Sequence, residues 1–109
     1  MTDNEGLAFV GDAVLGLVVA EHLWTMAPQD SVGLLTPRRS DIVSGVSLAR
    51  WAERIGLGAH LRISKGEHMT GGRAKESVLA TAFEAVLAVV YLEGGLPAAR
   101  HVIARLAAW

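Results

Sequence analysis

Residues 4–15 read Asn-Glu-Gly-Leu-Ala-Phe-Val-Gly-Asp-Ala-Val-Leu. Glu5, Ala8 and Asp12 are spaced three and four positions apart, so in a helix they fall along one stripe. Asp12 stands among apolar neighbours, where a carboxylate is costly unless it is paired or bound to a cation. The stretch therefore predicts an apolar helix that carries an acid with a special partner.

A second stretch, residues 76–86, reads Glu-Ser-Val-Leu-Ala-Thr-Ala-Phe-Glu-Ala-Val. Here Glu84 is the acid inside an apolar helix, and Thr81 lies one turn before it on the same face. Carboxylate oxygens are the ligands that Mg²⁺ prefers, and the ion can turn one of its waters into a nucleophile toward a phosphodiester. A metal site that includes Asp12 and Glu84 is one interpretation; acids satisfied by an Arg or a helix N-terminus are the other.

Length and composition indicate one soluble domain. The chain has 109 residues and no cysteine, which excludes disulfides and thiolate metal sites. The acidic N-terminus and apolar runs well short of about 20 residues predict a cytoplasmic protein with no membrane partner. Hydrophobic residues make up 51% of the chain, so we expect part of the apolar surface to lie in a subunit interface.

The charges are divided unevenly along the chain. Residues 1–30 contain five acids and no Lys or Arg, whereas residues 31–75 contain eight basic residues and three acids. This pattern is typical of a polyanion-binding face beside an acidic, cation-binding cleft. Ordinary solvated helix faces would give the same pattern.

The apolar periodicity and the helix stop signals predict an all-α domain of about five helices, with no convincing strand. A long first helix runs from Leu7 to about Met26. Thr36-Pro37 resembles an N-cap and first-turn proline for a second helix to about Val43. The other predicted elements are a short helix through Leu48, Trp51, Ala52 and Ile55 that stops at Gly56, a loop over 58–72, a helix from Arg73 to Leu92 closed by Gly94-Gly95, and a last helix from Pro97.

Residues 4–13 resemble the signature helix of ribonuclease III, a family that cuts double-stranded RNA with Mg²⁺. Further segments follow in the family's order: 34–36, 42–44, 47–49, 56–58, 65–67, 71–73, the second acid-bearing helix and 91–96. The resemblance implies one ribonuclease III-type endonuclease domain over residues 1–109. It also implies that the chain lacks the family's usual N-terminal helix and its double-stranded-RNA-binding module.

The departures from the family pattern concern its metal ligands. The family takes two acids from each of the two helices, and Asp12 and Glu84 match one of each. Ala8 and Thr81 stand at the other two positions, while Glu5 matches a further acidic position that flanks the cluster. The resemblance therefore implies a site of Asp12, Glu84 and Glu5 in which Mg²⁺ binding is weak or absent.

Other residues carry expectations about partners. Phe9 matches an apolar knob that inserts into the second subunit, which implies a homodimer; a plain core Phe is the alternative. Arg62, Lys65, Arg73 and Lys75 are candidate contacts to the phosphates of double-stranded or structured RNA, because A-form RNA is read through shape and backbone.

Three functions fit these observations. The first is a dimeric, RNA-associated domain with impaired or lost endonuclease activity, acting as an assembly or ribosome-associated module. The second is an active Mg²⁺-dependent endoribonuclease of RNA processing, with Glu5, Asp12, Thr81 and Glu84 around one ion. The third is a pseudoenzyme subunit that pairs with an intact ribonuclease III.

Overall fold

The computed structural model describes residues 4–60 and 72–109, with side chains in the second range described from Lys75 onward. Its helices are α1 (Asn4–Met26), α2 (Val32–Ile42), α3 (Gly45–Arg54) and α4 (Gly72–Leu106), and residues 57–60 are also helical. No strand occurs in these two ranges, which confirms the predicted all-α class.

The long helix α4 consists of two helical segments. Gly95 interrupts it with φ 73° and ψ −173°, a backbone conformation in the left-handed half of the map that favours glycine. Pro97 follows at the start of the second segment, where its missing N–H is tolerated. The predicted break at Gly94-Gly95 is confirmed.

The first two helices differ in how well the sequence predicted them. The prediction that α1 ends at Met26 is confirmed, and α1 begins at Asn4, three residues before the predicted start. The prediction that α2 begins at Thr36-Pro37 is wrong. Ser31 is the N-cap, with an extended backbone, and its carbonyl accepts the first hydrogen bonds of α2 at 2.9 and 3.0 Å.

Pro37 therefore lies inside α2, where it has no N–H to donate to the carbonyl of Gly33. No residue of α2 is buried, so this carbonyl can be satisfied by water. The α2 helix consequently lies on the surface of the domain and contributes little to its core.

The prediction for the short helix α3 agrees more closely with the structure. The Ser44 hydroxyl accepts the Ser47 N–H at 3.2 Å, and Gly56 has φ 82° just after the helix, as predicted. Leu48, Trp51 and Ala52 are buried.

The predicted loop over 58–72 is wrong at both ends, because residues 57–60 are helical and α4 begins at Gly72. Residues 61–71 lie outside the described part.

The core lies between α1 and α4, which make the most extensive contact in the domain. Its fully buried large side chains are Leu15, Val19, Phe83, Leu87 and Ile103. The helix α3 closes the core through Trp51, whose ring meets Phe83 edge-on with centroids 5.6 Å apart.

Two helical stretches, Asn4–Met26 and Lys75–Leu106, are long and apolar enough to cross a membrane by length and composition alone. This differs from the expectation drawn from short apolar runs. The two stretches pack on each other and form the core between them, and helices that supply a core have the same apolar composition. The expectation that the protein has no membrane partner stays a prediction.

Candidate functional site

The crossing of α1 and α4 is a direct contact between backbones. Gly11 is buried, and a Cβ atom added there would overlap the carbonyl oxygen of Glu84. Only a residue without a side chain fits at this position, because the overlap is with backbone rather than with a flexible side chain. The close approach brings Asp12, the next residue of α1, beside the side chain of Glu84.

Asp12 and Glu84 form a pair of carboxyl groups that share a hydrogen bond. Asp12 is exposed and Glu84 is half-buried. Burial, the hydrogen bond with Asp12 and repulsion by the Asp12 charge together raise the pKa of Glu84 from 4.5 to about 7. The acid inside the apolar α4 helix is therefore partnered by a second acid and a shared proton, rather than by an Arg or a helix N-terminus.

The neighbouring positions add no further carboxylate. Ala8 is buried one turn before Asp12, and Thr81 is half-buried one turn before Glu84. Glu5 is exposed in the first turn of α1. Within residues 4–60 and 72–109, no three His, Asp or Glu side chains come together in a group that could hold a metal ion.

The donor set fits one divalent cation. Two carboxyl groups close enough to share a proton present oxygen donors of the kind that Mg²⁺ prefers, and their two negative charges balance one Mg²⁺. A pair of ions would need a larger negative charge than Asp12 and Glu84 supply. The raised pKa means that a cation would have to displace a proton from this pair near neutral pH.

Among the other predicted residues, Phe9 is 79% exposed in the single chain, so it is not a core Phe. Lys75 is half-buried and belongs to α4, where it borders a cavity of about 500 Å³ between α3 and α4. Arg73 also belongs to α4 rather than to a loop. Arg62 and Lys65 lie outside the described residues.

Arg39 was missed by the sequence analysis. It lies on α2 and borders a cavity of about 510 Å³ that also touches Asp12, Gly16 and Ala20 of α1. In the sequence it is one of the eight basic residues of segment 31–75 and carries no distinguishing signal. Only the packing of α2 beside α1 places it in the cleft that contains Asp12.

Fold and site together define an all-α domain with a carboxylate pair where two core helices cross. Residues 1–108 match the family model described as ribonuclease-III-like. The chain belongs to the ribonuclease III family.

Relatives and solved structures agree with this membership. The chain is 51% identical over 100 residues to ribonuclease 3 of Caldanaerobacter subterraneus subsp. tengcongensis, covering 92% of this chain and 44% of that protein. It is 47% identical over 104 residues to ribonuclease 3 of Chlamydia muridarum, covering 95% and 45%. The chain thus spans less than half the length of these relatives.

A solved nuclease domain of ribonuclease III from Campylobacter jejuni superimposes with a TM-score of 0.80 at 35% identity. The match covers 95% of this chain and 73% of that chain. The solved structure concerns structural flexibility in a region involved in dimer formation of that nuclease domain. The predicted family and the predicted fold are confirmed.

Proposed function

We propose that this domain forms a dimer, binds double-stranded or structured RNA, and cleaves it slowly or not at all. The observation that carries the proposal is the composition of the acid cluster. Asp12 and Glu84 hydrogen-bond to each other, while Ala8 and Thr81 offer no carboxylate beside them. One acid on each helix supports binding of one cation. A mechanism that stabilises both the attacking and the leaving oxygen requires two cations.

Asp12 and Glu84 would hold the Mg²⁺, and Thr81 could add a neutral hydroxyl from the turn before Glu84. When bound, the ion supplies charge stabilisation and an activated water for phosphodiester hydrolysis. The chain's own contribution is the proton held between Asp12 and Glu84, which must leave before both carboxylates can bind a cation. Ala8 contributes no donor at all.

The test is a Mg²⁺-dependent cleavage assay on long double-stranded RNA. We expect the unmodified domain to be inactive or slow, and Ala8→Glu combined with Thr81→Asp to increase cleavage by orders of magnitude. Neither single substitution should restore cleavage fully, because the ligands of one metal cluster act as a unit. Circular dichroism must show that each variant folds, since Ala8 is buried.

A working endoribonuclease is the second candidate, because the retained pair is itself a cation site. Brisk cleavage by the unmodified domain that Asp12→Asn abolishes would establish this alternative and overturn the proposal. A pseudoenzyme subunit is the third candidate. Such a subunit would show no activity alone. It would co-sediment with an intact ribonuclease III, and in that heterodimer only the site of the intact partner would be active.

The dimer is supported by Phe9, an aromatic ring that is 79% exposed on a helix whose other face contributes to the core. We expect Phe9→Ala to weaken dimerisation by about 2–4 kcal/mol in sedimentation equilibrium, as for a ring buried in an interface. Met26→Ala is the matched control, because Met26 is 70% exposed at the far end of the same helix. A stable folded monomer of the unmodified domain at micromolar concentration would refute the dimer.

A further inference from the structure

We propose that the groove between α1 and α2 holds the RNA strand that leads away from the acid pair. In this arrangement Arg39 binds a backbone phosphate and Trp24 contacts the strand at the far end of the groove. The inference rests on the proposed RNA binding and adds the path of the strand and two residues that hold it.

The groove consists of two adjoining cavities between the acid pair and Trp24. Its first part is the cavity of about 510 Å³ bordered by Asp12, and its second part is a cavity of about 180 Å³ bordered by Trp24. Ala20 and Arg39 border both parts. A ligand that starts at Asp12 therefore passes Arg39 before it reaches Trp24.

The floor of the groove follows a row of residues on α1. Asp12, Gly16, Ala20 and Trp24 follow one another at four-residue intervals, and this row is inclined to the helix axis because each step turns about 40° around it. Twelve residue steps separate Asp12 from Trp24, a rise of about 18 Å along the helix, which is a length of several nucleotides. A Cβ atom at Gly16 would meet nothing within 4 Å, so the middle of the floor is open.

Charge indicates what kind of ligand the groove accepts. Arg38 and Arg39 are neighbours on α2, but Arg38 donates to Asp30 at 2.6 Å. The Arg39 guanidinium has no ion pair or hydrogen bond with any residue that the structure describes. An unpaired guanidinium over a groove of small residues suits a phosphate, which it can bind through two parallel N–H donors.

Trp24 provides a flat apolar surface at the end of the groove. Its side chain is 65% exposed, so the indole is available to a sugar or an unpaired base. Aromatic rings contact nucleic acid strands in this way without requiring a particular sequence. Because phosphate and stacking contacts are both independent of sequence, the groove would guide the strand without selecting it.

The decisive experiment compares two neighbouring arginines. Binding of a fluorescent 20-base-pair RNA duplex is followed by anisotropy in EDTA, over a series of salt concentrations. We expect Arg39→Gln to weaken binding about 5–10-fold and to reduce the salt slope by about 1. Arg38→Gln removes the same charge one residue away and should change the affinity less than about 2-fold. Equal effects of the two changes would overturn the proposal.

A second matched pair tests the far end of the groove. Trp24→Ala should weaken binding at least about 5-fold. Met26→Ala should leave it unchanged, because Met26 is equally exposed but borders neither cavity. All four positions are exposed, so we expect the variants to keep the unfolding transition of the parent domain.

The outcomes separate this inference from the function on which it rests. If the unmodified domain does not bind the duplex even at low salt, the proposed RNA binding fails and the groove fails with it. If binding is strong but insensitive to Arg39→Gln and Trp24→Ala, only the groove is refuted. If Arg39→Gln instead shifts the monomer–dimer equilibrium and leaves RNA affinity unchanged, the groove holds a second copy of the chain.

Discussion

The helix α1 makes two contacts of opposite character, and a glycine lies in each. Where α1 crosses α4, Gly11 touches the backbone of Glu84 and no side chain would fit. Five residues later, where α1 faces α2, Gly16 has open space around it. The first contact is part of the core, whereas the second partner, α2, has no buried residue. The same residue type thus serves close packing in one place and an open groove in the other.

This difference separates two requirements of a site that acts on a large ligand. Chemical groups must be held in a fixed relation, and a backbone contact at Gly11 fixes Asp12 against Glu84. The ligand needs room, and a loosely packed neighbouring helix leaves that room beside Asp12. Substitutions that disturb one of these two contacts should therefore leave the other unchanged.

The largest effect is expected from Gly11→Ala. The added methyl group would overlap the Glu84 carbonyl oxygen, so the two core helices must separate. We expect a loss of about 3 kcal/mol or more in the free energy of unfolding, measured with urea, together with loss of the raised Glu84 pKa. A loss below about 1 kcal/mol would show that α1 and α4 are less tightly apposed than the contact of Gly11 with Glu84 indicates.

An intermediate effect is expected from Glu84→Gln, and it depends on pH. In the parent domain the folded-state pKa of Glu84 is raised to about 7, so the folded state holds a proton that the unfolded state releases above pH 4.5. The contribution of the Glu84 carboxyl to the free energy of unfolding is therefore present at low pH, and it is lost as the pH rises from about 4.5 to about 7. Replacement by Gln should remove that loss.

The measurement is the free energy of unfolding between pH 5 and pH 8. We expect the parent domain to lose about 1–2 kcal/mol over this range, after allowance for solvent screening of a pair that is only partly buried, and the Gln variant to lose less. Glu53→Gln is a suitable control, because Glu53 is an exposed acid on α3. Parallel pH profiles for the parent and Glu84→Gln would contradict the shared proton.

The smallest effect is expected from Gly16→Ala. Glycine within a helix costs about 0.5–1 kcal/mol relative to alanine, and here the added methyl group meets no neighbour. The variant should therefore be more stable by up to that amount in the same urea titration. Destabilisation would mean that α2 packs more closely on α1 than the open groove indicates.

The sequence predicted those features that depend on local chemistry. The C-terminal end of α1 follows from apolar spacing, that of α3 from the stop signal at Gly56, and the break at Gly95 from a glycine pair before Pro97. The sequence also predicted that Asp12 and Glu84 need a special partner. It left open what that partner would be, because the two acids meet only through tertiary packing.

The start of α2 and the role of Arg39 could not be predicted for a related reason. Thr36-Pro37 is a good helix start by local rules, yet the helix begins at Val32. A surface helix tolerates the proline because the carbonyl that loses its N–H partner can bond to water. Arg38 and Arg39 are indistinguishable in sequence, and they differ only in what the fold places beside each of them. Local patterns locate the helices, whereas the grooves between helices are properties of the assembled domain.

The contact between Asp12 and Glu84 also bears on how the domain folds. These residues are 72 positions apart, so their meeting closes a loop of most of the chain, which is entropically costly and slow relative to helix formation. Neither α1 nor α4 alone can raise the Glu84 pKa. At pH 6 the closing of this loop should therefore draw nearly one proton from solution. An indicator dye in a stopped-flow refolding experiment would time the docking of α1 on α4, with no label attached to the protein.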